Sequence, residues 1–554
     1  MILDFTIRLP SSFPSPSLTQ IHNLVILYYN YHTQSTSDDV WNKPYTTYGV
    51  TVNSKENDKS IEIRLCNFER PHSRAFHYSW YAFFVAFFLW FSIVPLLPVI
   101  QEDLNLSDDD LFISSIASVG STVVMRLLLG PLCDIYGARI LFTIVLCVSA
   151  IPAACVGLIQ TSQHLAIVRA FIGIAGGTFV MCEYWTTTMY TKDVVGTANA
   201  IVAGWGNLGA GVTQIVIGSL LFPFMKVIYT NTSSDDGVDI IGNNDDLEST
   251  VSDTTSGEKA WRTVMIIPAV IGFVTGIMVY FYTDDSPYGN YSTLKRYGIK
   301  KPMNATKSFL IGCYNRNTWL LSFQYACCFG VELTMNTATI LYFKDEFGQS
   351  SSTAASIASI FGWMNLFARA IGGFYSDYAN ANFGMRGRLI VLSALLFGEA
   401  IFIFIFAETK TLAASIMVMV CFSLFVQAAE GAVYGIVPYV DEVNTGTIIG
   451  VVGAGGNVGA TAFTMAFQRF DNYLTAFTIM GICIFVSSLL SVFIRIEGQN
   501  TLLSNHHVAR TIRPIVGNGG GGGAGVTTDG DDTSSKKDGN NEEDDDYDEG
   551  IELP

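Results

Sequence analysis

From residue 78 the chain alternates between apolar stretches of about 20 residues or more and short polar joints. A helix rises 1.5 Å per residue, so about 20 apolar residues cross a hydrocarbon core of roughly 30 Å. The pattern predicts crossing helices near 78–100, 111–133, 139–160, 164–188, 197–224 and 262–283, and again near 317–343, 353–376, 388–407, 411–438, 446–468 and 473–495. The predicted fold is therefore an all-α membrane protein with twelve transmembrane helices in two six-helix halves, 78–283 and 317–495. Residues 1–77 read as a polar, partly disordered N-terminal tail without a secretory signal, in which the apolar run Leu24–Tyr31 is too short to span. Residues 284–316 form a central polar loop, and 496–554 a tail that passes through a glycine run into low-complexity acidic sequence.

Composition agrees. Of 554 residues 50% are hydrophobic and 14% charged, with a mean hydropathy of +0.36; soluble domains carry about 25% charged residues. The net charge of -17 is uneven, because twelve acidic residues from Asp529 onward face only Lys536 and Lys537. A chain so acidic is no nucleic-acid binder. Basic residues gather at Arg139, in the central loop (Lys295, Arg296, Lys300, Lys301, Lys307, Arg316), at Arg386 and Arg388, and at Arg495, whereas 101–110 and 226–259 are acidic. Lys and Arg collect on the cytoplasmic side, so both tails and the central loop are predicted to be cytoplasmic, and the sequon at Asn231 faces outward. The ten cysteines show no metal-ligand spacing and read mostly as small buried residues. No nucleophile–base pair, metal cluster or phosphate-cradling loop points to an enzyme or a cofactor.

The halves carry matching landmarks. Arg126, Gly130 and Asp134 are spaced like Arg369, Gly373 and Asp377, and Gly206-Asn207-Leu208-Gly209 is answered by Gly456-Asn457-Val458-Gly459. The asparagines follow their arginines by 81 and 88 residues. Such a parallel repeat places a substrate near the midplane between halves. Arg126 lies eight residues before Asp134, so it stands about 12 Å into the bilayer. A charge there costs at least about 2.5–3.5 kcal/mol on insertion scales and needs a partner or a polar cavity. Two uses are open to each arginine. It can pair with a membrane carboxylate such as Glu183, Glu332, Glu399 or Glu430, or the two can bracket a flat oxyanion, which suits the planar guanidinium fork. The glycines around Asn207 and Asn457 suit close helix packing, while the two amides are candidates for substrate contact.

The stretch Gly130-Pro-Leu-Cys-Asp134-Ile-Tyr-Gly137-Ala-Arg139 resembles the loop signature of the major facilitator superfamily. Ala203-Gly-Trp-Gly-Asn-Leu-Gly209 and Gly453-Ala-Gly-Gly-Asn-Val-Gly459 resemble the two signatures of its nitrate/nitrite porter family, which includes the high-affinity nitrate transporters of plants, fungi and algae. The blocks Phe329–Asn336, Phe361–Arg369, Gly384–Arg388 and Gln427–Ala432 resemble that family as well, and the likeness covers roughly 78–495. It implies that Arg126 and Arg369 coordinate nitrate, with Phe179 and Tyr325 as pocket neighbours, an aromatic face and a phenol donor respectively. It also implies a plasma-membrane location and, for some relatives, a small accessory membrane protein as partner. Two departures stand out. Glu183 replaces the Gln expected of plant-like members, which bears on proton coupling, and Asp441-Glu442 replaces basic residues, which bears on a cytoplasmic contact.

Driving an anion into an inside-negative cell opposes about 2.3 kcal/mol per charge per 100 mV. Uptake therefore needs coupling to protons or exchange for nitrite. The resemblance favours proton symport, with Glu183, Glu332 and Glu430 as candidate carriers, each of which also fits a static hydrogen-bonding role. Gly130, Asp134, Gly137, Arg139, Gly373, Asp377 and the glycines 206, 209, 456 and 459 are expected at surfaces that move as the halves rock. The remaining alternatives are another small-anion antiporter, and, from a different class, a nitrate sensor on a transporter scaffold.

Overall fold

A computed structural model describes residues 45–47, 49–235, 245–300, 302–470 and 472–503. The apolar run Leu24–Tyr31, the glycine run and the acidic C-terminal tail lie outside the described residues. Twelve helices are long and apolar enough to cross a membrane. Spans 1 to 6 are His72–Leu104, Asp108–Tyr136, Ala138–Leu158, Ser162–Met189, Val195–Asn231 and Thr255–Tyr282. Spans 7 to 12 are Arg316–Phe347, Thr353–Phe383, Met385–Ala407, Leu412–Tyr439, Thr445–Arg469 and Tyr473–Phe493. All twelve match the apolar pattern within several residues, and several extend beyond it.

Polar caps explain where several spans begin. Ser107 forms a reciprocal capping box with Asp110 at the head of span 2, and Thr161, Asn315, Ser350, Thr411 and Asn472 each accept a first-turn N–H of the helix that follows. Each supplies an acceptor to orphan amides where the chain leaves the apolar layer. Even-numbered spans end, and odd-numbered spans start, at the end of the bundle that carries the central loop. That end holds Arg139, Lys192, Arg388 and Arg495 and is called the basic end below.

Span 2 packs along span 11, and span 5 along span 8, so one helix from each half lines each seam. Span 1 packs on span 5 and span 7 on span 11, repeating one arrangement in both halves. The central loop is itself built, with helices Tyr291–Arg296 and Ala305–Tyr314 lying on span 2.

The segment expected as a tail is folded from residue 45. Strands β1 (Tyr45–Thr47), β2 (Val50–Asn53) and β3 (Lys59–Ser60) form a small antiparallel sheet in the order β1-β2-β3, with Thr46 opposite Thr51 and Val52 opposite Ser60. Val50 and Val52 are buried. The alternation in Val-Thr-Val-Asn is four residues long, too brief to register against spans of about twenty.

Candidate anion-binding site

Several spans break their helical regularity at mid-depth. Span 4 tightens to 3-10 geometry at Ile174–Gly177, span 8 does so at Met364–Leu366, and span 7 pauses between Ala326 and Phe329. Irregular backbone inside a membrane survives only where it is buried in protein or lines a cavity, and its loosened carbonyls seek donors. Phe179 follows the first break, Arg369 the second, and Tyr325 and Phe329 flank the third. The Gly176-Gly177 pair is the sequence feature that lets span 4 tighten.

Arg126 of span 2 is fully buried. Its Nε donates to the Gly176 carbonyl at 3.2 Å, and its Nη1 donates across the seam to the Gly453 carbonyl at 2.6 Å. Its guanidinium carbon stands 4.7 Å from the Phe179 ring centre and 5.2 Å from that of Phe329. Its Nη2 has no partner, and no carboxylate lies within ion-pair distance, among the described residues.

Arg369 of span 8 lies near the same ring, its guanidinium carbon 5.6 Å from the centre of Phe179. It is fully buried too, but its Nη1 is paired with Glu430, its Nη2 donates to the Tyr325 hydroxyl at 3.1 Å, and Glu183 lies 4.0 Å away. The rings form one cluster. Phe179, Tyr325 and Phe329 lie nearly parallel, Tyr325 and Phe329 with centres 5.2 Å apart, and Tyr434 meets Phe179 and Tyr325 edge-on at 5.1 and 5.0 Å.

Glu332 accepts from the Asn365 amide at 2.5 Å, and one oxygen each of Glu332 and Glu430 has no hydrogen-bond partner among the described residues. Both oxygens of Glu183, and both of the buried Glu399 on span 9, lack a hydrogen-bond donor among the described residues.

The amides of Asn207 and Asn457 are buried and have no hydrogen-bond partner among the described residues. Their glycines sit in helix contacts. Gly206 and Gly209 meet Phe83 and Phe84 of span 1, while Gly456 and Gly459 meet Tyr325, Phe329 and Ala326 of span 7. A Cβ on Gly456 would stand 2.6 Å from the Phe329 ring, so this glycine lets the aromatic cluster close.

The basic end is closed by a symmetric device. Asp134 of span 2 accepts the N–H of Gly446 at 2.8 Å and of Thr447 at 3.2 Å, the first turn of span 11 in the other half. Asp377 of span 8 accepts those of Gly196 at 3.0 Å and Thr197 at 2.6 Å, the first turn of span 5. Each carboxylate is thus an N-cap supplied in trans, placed where the helix dipole favours it. The backbones must touch for this. A Cβ on Gly130 would lie 2.7 Å from the Gly446 carbonyl oxygen, and Gly373 packs on Gly196 in the same way.

Arg139 does not reach Asp134. It pairs with Asp285 of the central loop at 3.6 Å, while Gly137 turns the chain with φ of 83°. Arg388 pairs with Asp377 at 2.8 Å. Ser308 of the central loop donates to Asp134 at 3.2 Å and meets Thr447 at 2.8 Å. Asp441 and Glu442 strengthen this end. Asp441 accepts the N–H groups of Val443 and Asn444, both at 2.9 Å, at the head of span 11, and Glu442 forms an ion pair with Lys192 of the other half.

Tyr434 and Gly176 belong to the site without having been named from sequence, and Phe329 and Gly453 stood in family-like blocks without a site role assigned to them. The recurrence of Gly-Thr at 196–197 and 446–447, each eleven residues before its asparagine, was a readable extension of the repeat.

The twelve spans, the seams between matched helices and the two buried guanidiniums define a membrane transporter built from two six-helix repeats. The family model of the Major Facilitator Superfamily matches residues 79–464. The chain is 35% identical over 435 residues to high affinity nitrate transporter 2.5 of Arabidopsis thaliana, covering 78% of this chain and 81% of that one. It is 36% identical over 411 residues to nitrate transporter 2.2 of Chlamydomonas reinhardtii, covering 74% and 75%. The crystal structure of the superfamily transporter FucP in the outward conformation is similar in fold, with a TM-score of 0.56 at 16% identity, over 76% of this chain and 99% of that one. The chain belongs to the nitrate/nitrite porter family of the Major Facilitator Superfamily.

Proposed function

We propose that this protein carries nitrate, and nitrite as a second substrate, into the cell across the plasma membrane together with protons, with both termini cytoplasmic. The observation that carries the reading is Arg126, a fully buried guanidinium with a free Nη2 and no carboxylate partner among the described residues, which shares the Phe179 ring with a second guanidinium. A buried cation without a counter-charge attracts an anion. The faces of Phe179, Tyr325 and Phe329, which lie nearly parallel, suit a planar one. Nitrate oxygens would take the free donor of Arg126 and draw Arg369 toward it, so that binding pulls the halves together and access alternates. The relatives that are nitrate transporters by name support this choice of anion.

Protons supply the drive. Glu430 is paired with Arg369, so a proton taken up by Glu430 would weaken its competition with the substrate for Arg369. This contact favours symport over exchange with nitrite. The test is membrane current on adding nitrate to cells expressing the chain, at acidic and neutral external pH. An inward positive current that grows at acid pH supports proton-coupled uptake. No current with intact surface expression, together with uptake of labelled nitrate only from cells preloaded with nitrite, would replace symport by exchange. Absence of nitrate binding to the purified protein would remove the anion assignment altogether.

A further inference from the structure

Lys192, in the turn between spans 4 and 5, is gripped from two directions. Its backbone N–H donates to the Glu56 carboxylate of the N-terminal sheet at 3.2 Å. Its carbonyl accepts from Arg388 Nη2 at 2.8 Å and from the Tyr439 hydroxyl at 2.9 Å, both in the other half. Its ammonium pairs with Glu442, also in the other half, and stands 5.0 Å from the Tyr439 ring centre. The sheet holds the neighbouring residues as well. The Ser60 carbonyl accepts the Thr191 N–H at 2.9 Å, Ser60 bridges Tyr190 in parallel register, and Lys59 Nζ donates to the Thr187 carbonyl at the close of span 4, again at 2.9 Å. His72 at the head of span 1 anchors the sheet through the Asp58 carbonyl at 2.7 Å.

We propose that Lys192 is a positioning residue through which the N-terminal sheet sets how firmly the basic end stays closed. This rests on the alternating-access reading above but not on the identity of the anion. Opening that end separates the halves, and every bond from Lys192 to Arg388, Tyr439 and Glu442 must break. Those bonds form only if the turn from Tyr190 to Asp193 is already held in place, and its peptide groups are fixed by Glu56 and Ser60. A turn without them would sample many conformations and meet the other half rarely. The charged groups around the node are Lys59, Glu56, Glu442, Arg388 and Asp193. Within this set only the Lys192–Glu442 ion pair joins opposite charges across the seam at the node itself. The acidic residue at 442 is therefore what lets this chain close its basic end through Lys192.

The test uses Cys182, a native buried thiol beside Arg369 between the halves. Full-length protein in sided vesicles is exposed to a membrane-impermeant maleimide on the basic-end side, without substrate, and labelling of Cys182 is read by peptide mass mapping. Lys192→Glu and Glu442→Lys should each speed labelling about fivefold, the upper range for losing a partly exposed ion pair. The double exchange K192E/E442K should return to within about twofold of the starting rate. Glu56→Gln should also speed labelling, because the Lys192 N–H loses a charged acceptor. Unchanged labelling in all variants, or failure of the exchange to restore it, overturns the proposal, and unchanged labelling in Glu56→Gln alone overturns the role of the sheet. If a reversal variant does not reach the membrane, Glu442→Gln reads the same change with a smaller effect. Since no nitrate is present, a wrong anion assignment leaves these outcomes intact.

Discussion

Two arginines occupy equivalent places in the repeat and live in opposite electrostatic company. Arg126 has carbonyls, aromatic faces and an idle donor, whereas Arg369 is tied to Glu430, with Glu183 4.0 Å away. Breaking a buried charge pair costs about 3–5 kcal/mol, so Arg369 is held in place by its partner. Arg126 has no such tie and keeps its charge available. The two halves keep matching landmarks in different electrostatic surroundings, and on the proposed reading Arg126 takes the anion while Arg369 answers to the protonation of its carboxylates.

That contrast breaks first at Arg126. Arg126→Ala should abolish nitrate transport, and Arg126→Lys should raise KM by about tenfold or more, since an ammonium loses the planar fork. An unchanged KM in labelled-nitrate uptake would mean that this arginine does not hold the substrate. At the other pole, Glu430→Gln should keep KM within about threefold while removing the gain in current at acid pH. Comparing Glu183→Gln and Glu332→Gln sharpens the assignment, and acid-stimulated currents surviving in all three variants would clear the carboxyls of that role.

A smaller effect is expected at the seam. Gly130→Ala and Gly373→Ala overpack equivalent contacts and should each destabilise by about 1–3 kcal/mol, read as a lower thermal midpoint of the purified protein. A loss confined to one of them would show that the two seams are not mechanically equal. The smallest effect concerns the central loop, which the N-terminal half engages through Arg139. Burial pushes the Asp285 carboxyl above the ordinary aspartate range, with Arg139 and the N–H groups of Tyr291 and Arg139 opposing it. A raised value means that the contribution to stability is complete below the ordinary aspartate range and is lost as pH rises through the raised one. Amide exchange at 285–291, corrected for intrinsic rates, should slow as pH falls toward that range, and Asp285→Asn should flatten the profile.

The spans and their number were legible because hydrocarbon thickness leaves a long, coarse signal in sequence. The arginine positions could be named, with Glu183 and Glu430 among the carboxylates able to pair with them, but not that Arg369 takes both and Arg126 neither. Arg369 meets Glu430 61 positions later, and Arg126 meets Gly453 327 positions later. No periodicity within one helix encodes such meetings. Phe329 was visible as part of a family-like block, yet only the pause in span 7 turns its ring parallel to Tyr325. The N-terminal sheet escaped notice because its strands are three, four and two residues long and draw their order from the turn after span 4.

The exchange of helix caps between halves carries a further consequence. When the basic end is shut, four backbone N–H groups, at 196, 197, 446 and 447, are satisfied by two carboxylates of the opposite half. Were that end to open, the four amides would lose these acceptors and turn to solvent, while Asp377 would keep Arg388 of its own half. On the alternating-access reading the door is thus hinged on hydration, water entering the basic end as it opens and leaving as it shuts.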